Sequence, residues 1–219
     1  MRLYHFVDLK WGLDDIRRRR LKIAKLNELN DPFEMLALKT NDVDLRRALA
    51  ATKQQMAKST GVLCFSRKWR NPVQWSHYAD HHRGLCLGFD VPDGTTEAIR
   101  YSRYRILDDG TLTGGGDKAG ELMQRLIVTK FAHWKYEDEV RRFMQIDERK
   151  RDDKIWYEPF SPTLVLKEVI VGPNSDLTRD DLRNALGSLV GDVEMRKARL
   201  AFRTFSVVEQ RLASAWKNS

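Results

Sequence analysis

The sequence predicts an α+β domain built on a mixed, largely antiparallel sheet with flanking helices. Strand-like and helix-like segments interleave, but not at a regular βαβ period. Several strands adjoin only short loops, which suits antiparallel neighbours better than crossover helices. No repeat, linker or low-complexity stretch divides the chain, so residues 1–219 read as a single domain.

The elements follow in order. Arg2 to Val7 alternates apolar and polar residues as a strand does. Leu9, Leu13 and Ile16 keep helical spacing, and a helix from about Lys10 to Arg20 ends in basic residues that oppose its dipole. Leu21 and Ile23 mark a second strand. NELNDPFE, residues 27–34, is turn chemistry in which Asn30 and Asp31 can cap a helix with Pro32 in its first turn. Leu45 to Met56 is a helical stripe, and GVLCFS, 61–66, a buried strand. Pro72 to His82 reads as a short helix, GLCLGFDV (84–91) as a strand, and Ile99 to Leu107 as a polar, tyrosine-rich strand. Residues 108–117 read as a loop before a helix with Met123, Leu126, Ile127 and Phe131. A strand follows to Ile146, and then the charged run DERKRDD. Leu164 to Val171 is a strand stopped by Gly172-Pro173, and Thr178 with Asp181 begins a capped helix. A strand and a short helix are expected between Ala201 and Trp216.

Composition bounds the function. Hydrophobic residues make up 42% and aromatics 10% of 219 residues, enough for a core, which excludes a disordered chain. Thirty-nine Lys and Arg against 31 Asp and Glu give a net charge of +8. That charge favours polyanions without selecting one. Two cysteines make no disulfide framework. Cys64 and Cys86 sit in apolar runs and are expected buried on neighbouring strands and unreactive, as in a cytoplasmic protein. No segment approaches the roughly 18 apolar residues of a membrane span, and MRLYHFVDLKWG reads as a first strand rather than a leader. A cytoplasmic protein with no membrane partner is expected.

Common motifs are absent: no phosphate loop, no GxGxxG opening a helix, no GxSxG elbow and no CxxC. His77 and His81 share a helical spacing, yet without HExxH they read as hydrogen-bonding groups and no metal is assigned. Six phrases stand out, most of them mixing aromatics with His, Asn or Glu in the way a pocket requires. They are LYHF (3–6), LNDPFE (29–34), CFSR (64–67), WSHYADHHRGLCLGF (75–89), WKYEDEVR (134–141) and LKEVIVGP (166–173). Each alone is also explained by folding: Trp134 and Tyr136 as core, Glu137 and Glu139 as partners of Arg141 and Arg142, and Asn30-Asp31 as a cap.

Together these phrases, from Leu3 to about Pro173, resemble the bacterial domain-of-unknown-function family numbered 2971. That family name implies no activity. A second resemblance, at fold level, is to ADP-ribosyltransferases. Leu3-Tyr4-His5 opens the chain on a strand, Ser66 in CFSR ends a middle strand, and Glu137-Asp138-Glu139 precedes a late one, in that family's order. This resemblance implies a split, ADP-ribosyltransferase-like sheet and NAD as a substrate.

The same resemblance implies roles. Glu139 or Glu137 would be the catalytic carboxylate, the two being expected on one strand face, and His5 would bind a ribose or the nicotinamide amide. Tyr78 or Trp134 would stack on nicotinamide, and Arg2 or Arg67 would meet the pyrophosphate. Tyr4, Asn30, Asp31, Ser66, Trp75 and His82 complete the expected ligand-binding set. The activity implied is an NAD-consuming transferase or glycohydrolase, as in a toxin or phage-defence effector with a macromolecular acceptor. The other reading is a non-catalytic basic module for nucleic acid or a protein partner, with Arg17–Arg20, Lys22, Lys25, Arg46, Arg47 and Arg149–Arg151 as its footprint. Convergence of His5, Ser66, Tyr78 and Glu139 on one cavity favours the enzyme. A basic stripe with those residues scattered favours the module.

Overall fold

The computed structural model describes residues 1–107 and 116–217. The expected loop at 108–117 therefore lies almost wholly outside the described residues. In chain order the first half holds β1 (Arg2–Val7), α1 (Leu9–Arg18), β2 (Arg20–Lys25), β3 (Leu38–Lys39), α2 (Val43–Ser59), β4 (Thr60–Ser66), α3 (Pro72–Tyr78), β5 (Leu85–Asp90), β6 (Glu97–Ala98), β7 (Arg100–Ser102) and β8 (Ile106–Leu107). The second half holds α4 (Asp117–Ile127), β9 (Thr129–Phe131), β10 (Glu139–Gln145), β11 (Arg151–Asp152), β12 (Ile155–Pro159), β13 (Val165–Val171), α5 (Arg179–Leu186), β14 (Glu194–Leu200) and β15 (Val207–Glu209).

Among the described residues, the main sheet runs β11-β12-β2-β4-β1-β5-β13-β14-β15. Its pairs are antiparallel except β13 with β14. β10 lies along the whole of β4, from Glu139 opposite Ser66 to Gln145 opposite Thr60. On the other side of β4 the sheet parts. β2 pairs with its start, Ala24 opposite Val62 and Lys25 opposite Gly61, and β1 touches only its end, Tyr4 opposite Ser66. Leu63, Cys64 and Phe65 thus have no ladder partner on that side among the described residues, and β1 and β2 diverge around them.

Helices cover both faces because β1 and β5 are apolar on both. α1 and α5 bring Ile16, Leu182, Ala185 and Leu186 against Leu3, Leu87 and Phe89. α3 brings Trp75 against Phe6, with rings edge-to-face at 5.3 Å. α2 and α4 close a third cluster through Leu49, Leu122 and Leu126. Asp8 caps α1 by accepting from the Trp11 N–H, and Thr178 caps α5 by accepting from the Asp181 N–H.

Several expectations are corrected. α1 ends at Arg18, because Arg19 takes a left-handed conformation (φ 55°) and Arg20 already begins β2. α3 ends at Tyr78, since Asp80, His81 and His82 all have positive φ. His77 and His81 therefore do not share a helix face, and no cluster of metal ligands forms among the described residues. Asp31 caps no helix; it accepts from the Phe33 N–H in a local turn. Residues 99–107 form two short strands rather than one. Cys64 on β4 and Cys86 on β5 are separated by β1. Between Ala201 and Trp216 the expected strand and short helix are present, as β15 and a 3-10 turn at Ala213–Ala215, and β14 is a further strand just before them.

Candidate active site

The parting of β1 from β2 opens a cavity of about 230 Å³. Its wall includes Tyr4, His5 and Phe6 of β1, Ala24 of β2, and Cys64, Phe65 and Ser66 of β4. Leu29 and Asn30 come from the turn after β2, and Gln74 and Tyr78 from α3. Lys130, Glu137, Glu139 and Arg141 close the remaining side. Asn30 and Tyr78 also border a more open shelf formed with Asp8, Ser76, His77, Asp80, His81 and Trp134.

Local sequence sets each group. Residues 63–65 have no strand beside them at the split, and the His5 ring takes one freed backbone group: its Nδ1 donates to the Cys64 carbonyl at 3.0 Å. A carbonyl can only accept, so the proton sits on Nδ1 and Nε2 is left as an acceptor. Burial holds His5 below the usual imidazole range, which keeps it neutral. Ser66 is turned on its own strand end, its hydroxyl donating to the Lys68 carbonyl at 2.8 Å. Pro72 and the Asn71 cap begin α3 so that Gln74 and Tyr78, one turn apart, face the same wall.

A chain of alternating charges lies behind the cavity. Glu34 receives two bonds from the Arg141 guanidinium, at 2.6 and 2.9 Å. Arg141 also donates to Glu139 at 2.7 Å, and Lys130 Nζ donates to Glu139 at 3.1 Å and to Glu137. The Tyr78 hydroxyl donates to the other oxygen of Glu137. All five charged side chains are at least nine-tenths buried. Three carboxylates face two cations, so one negative charge is left over.

That surplus resides at the Glu137 end. Burial acts to raise Glu139, but Arg141 and Lys130 outweigh it and hold its carboxyl below the usual range. Glu137 has only Lys130 and the Tyr78 hydroxyl, and burial raises its carboxyl. Burial and Glu137 together push the Tyr78 hydroxyl upward.

The two glutamates do not share a strand face. Glu137 ends a 3-10 turn (Ala132–Glu137), Asp138 is left-handed (φ 45°), and only Glu139 is in β10. They meet because both reach one ammonium group, Lys130. Gln74 also fixes this turn, its amide donating to the Glu137 carbonyl at 2.8 Å. That bond forces the amide orientation and leaves Gln74 Oε1 buried and unpartnered at the cavity wall.

His5, Tyr4, Asn30, Ser66, Tyr78, Glu137 and Glu139 therefore converge on the cavity, and Trp134 stands at the shelf with its ring 4.7 Å from Lys130 Nζ. Other expected residues lie elsewhere. Arg2 is held by Asp90 and Glu168, at 2.7 and 3.0 Å. Arg67 pairs with Asp138 over a separate groove. Trp75 is fully buried, donating to the Trp69 carbonyl. Asp31 is buried in its own turn, and the carbonyl of His82 accepts from the Asn174 N–H. Glu34, Gln74, Lys130 and Arg141 belong to the site and are not among the residues expected from the sequence. Glu34 and Arg141 lie within phrases already singled out, whereas a lone Lys130 gives no sequence signal.

Comparison with known proteins finds no matching family model, no similar curated protein and no similar solved structure.

Proposed function

We propose that the cavity is the active site of an NAD-consuming enzyme of ADP-ribosyltransferase type, a transferase or glycohydrolase. The observation that supports it is the convergence of His5, Ser66, Tyr78, Glu137 and Glu139, from four separate segments, on one cavity at a parting of the sheet. We place the chain with the family numbered 2971 on the phrases given above. A toxin or defence effector is the role such chemistry suits.

Charge supports the same reading. NAD carries a positive nicotinamide ring, and breaking its glycosidic bond builds positive charge on the ribose. The surplus negative charge near Glu137 complements both. Gln74 Oε1 offers an acceptor for an N–H donor such as the nicotinamide carboxamide. His5 Nε2 offers a second acceptor, for a ribose hydroxyl. The open shelf beside Trp134 gives the rest of a dinucleotide room.

In the reaction, the bond between ribose C1′ and the nicotinamide nitrogen breaks, and its electron pair leaves with neutral nicotinamide. Glu137 stabilises the oxocarbenium-like centre. A nucleophile, water or an acceptor group, then bonds to C1′ and loses its proton to a nearby base. Glu139, held by two cations, positions Lys130 rather than touching the substrate.

The competing reading, a non-catalytic basic module, is less well supported. Its expected footprint is largely spent on ion pairs and stacking. Arg18 and Arg20 meet Asp14 and Asp152, Arg149 meets Asp147, Lys150 meets Glu158, and Lys25 covers Trp156. The test is incubation with NAD, reading nicotinamide release and the NAD-dependent shift in melting. Release that is lost on Glu137→Gln supports the proposal. Neither release nor a melting shift would remove it.

A further inference from the structure

A second cleft, of about 290 Å³, has a lining residue in common with the first cavity. Lys130 borders both. The strand pair β7–β9 forms its floor, with Ser102 opposite Phe131. Phe33 and Phe131 stand at its walls with nearly half of each residue exposed (48% and 42%), and Tyr104 is 83% exposed. Exposed rings gathered in one cleft are a feature of binding surfaces.

The charge at this cleft is of one sign. Arg103 and Arg105 line it, both exposed, and neither forms an ion pair among the described residues. The Arg105 guanidinium lies 5.0 Å from the centre of the Phe33 ring. Neither guanidinium is committed to a carboxylate among these residues, so both are available to an anionic ligand at the cleft. Among the described residues, no carboxylate lines the cleft.

Phe131 packs against His133 with ring centres 4.5 Å apart and Phe33 lies near Arg105, so the remaining ring surface is what a base would stack on, while the unpaired guanidinium groups supply partners for phosphates. We propose that this cleft binds single-stranded nucleic acid, one base entering between Phe33 and Phe131 while Arg103 and Arg105 contact the backbone. A duplex does not fit this geometry, because its bases are already stacked on each other. The binding stands independently of the NAD chemistry. The further step, that the bound strand is the acceptor, rests on the proposed transferase activity and follows from the shared Lys130.

The test uses the full chain and a fluorescent ten-nucleotide strand, in DNA and RNA forms, read by anisotropy at 50 and 200 mM salt without NAD. The expected result is binding that unlabelled single strand displaces better than duplex or heparin does. Phe33→Ala with Phe131→Ala should weaken it by about tenfold or more, since each stacked base is worth roughly that factor. Arg103→Gln with Arg105→Gln should flatten the salt dependence by about 1.4 in log–log slope, from two lost phosphate contacts. All four side chains are exposed, so melting temperatures should stay near wild type and confirm folding. No binding at 50 mM salt, or binding that heparin displaces equally well and that the phenylalanine variant retains, overturns the proposal. Because NAD is absent, failure here leaves nicotinamide release unaffected, and the two readings fail separately.

Discussion

Arg141 and Glu34 meet 107 residues apart in the chain, through two hydrogen bonds of 2.6 and 2.9 Å, and both side chains are almost completely buried. The turn after β2 is pinned to β10 by this pair. Asp31 accepts from the Phe33 N–H, the Glu34 N–H donates to the Asp31 carbonyl, and the glutamate is delivered inward. Arg141 also donates to Glu139 and to the Ile127 carbonyl, so one residue couples the fold to the cavity.

Removing one partner should therefore be costly. Arg141→Met leaves Glu34 and half of Glu139 without their cation, and stability to urea should fall by about 3–5 kcal/mol. Adding Glu34→Leu to that variant removes the stranded carboxylate and should recover part of the loss. A double variant no more stable than the single one would show that Glu34 is compensated elsewhere.

Asp15 gives a pH dependence with a definite sign. It is buried on α1, and burial, with Asp14 nearby, raises its carboxyl to about 7 from an ordinary value of 3.8. The folded state then holds a proton that the unfolded chain releases. The resulting stability is fully present below about pH 4 and is lost as pH rises towards 7. At 1.36 kcal/mol per unit, the loss is up to about 4 kcal/mol. Asp15→Asn should be more stable than wild type at pH 8 and should flatten this slope in urea titrations at pH 4 to 8. Parallel curves for the two proteins would contradict the assignment.

Both thiols should be silent in the native protein. Burial pushes Cys64 and Cys86 well above the usual thiol range, and carboxylates nearby, Glu139 and Glu168, push the same way. A thiol reagent at pH 8 should label neither until urea unfolds the chain, when both react together. Cys64 is partly exposed at the cavity wall, so its raised range rather than enclosure keeps it silent; fast labelling of the buried Cys86 without denaturant would mean that its surroundings open locally.

The turn between β14 and β15 presents Phe202 and Phe205 at 91% and 102% exposure. Neither has core contacts to lose. Phe202→Ser and Phe205→Ser should each change stability by less than about 0.5 kcal/mol in thermal melts. A larger drop would mean that these rings are packed in solution.

Strand and helix identities were legible where periodicity was strong: β1, β4, β5, β13 and α5 sit where their apolar patterns put them. Boundaries at left-handed residues were not. Arg19, Asp80, His81 and His82 are not glycines, and nothing in their side chains announces a positive φ. The expected site was legible as phrases rather than as partners. LNDPFE contributes Asn30 to the cavity wall, yet Glu34 makes its decisive bond. The pairing of Glu139 with Arg141 is legible as a folding contact and is present, but its burial and its sharing with Glu34 are not. Lys130 joins two glutamates that strand alternation wrongly placed on one face, and only the three-dimensional path of the chain through a 3-10 turn brings all three together.

The two glutamates should separate cleanly by substitution. Glu139 is enclosed by Arg141 and Lys130, so Glu139→Gln leaves two buried cations undercompensated and should lower stability by about 3 kcal/mol or more. An exposed strand-end carboxylate would have cost far less. Glu137 differs, because burial already opposes its charge. In Glu137→Gln the amide oxygen can accept from Tyr78 or from Lys130 but not from both, while Lys130 keeps Glu139, so stability should fall by less than in Glu139→Gln, by about 1–2 kcal/mol. On the proposed NAD chemistry the catalytic effects run the other way. Glu137→Gln removes the charge that faces the developing oxocarbenium centre, and nicotinamide release should fall a hundredfold or more. Wild-type release should rise with pH as Glu137 ionises through its raised range, and that limb should vanish in the variant. Melting, denaturant titration and nicotinamide release on the same three proteins decide it. Full activity in Glu137→Gln with loss only in Glu139→Gln, at temperatures where both are folded, would transfer the catalytic role to Glu139.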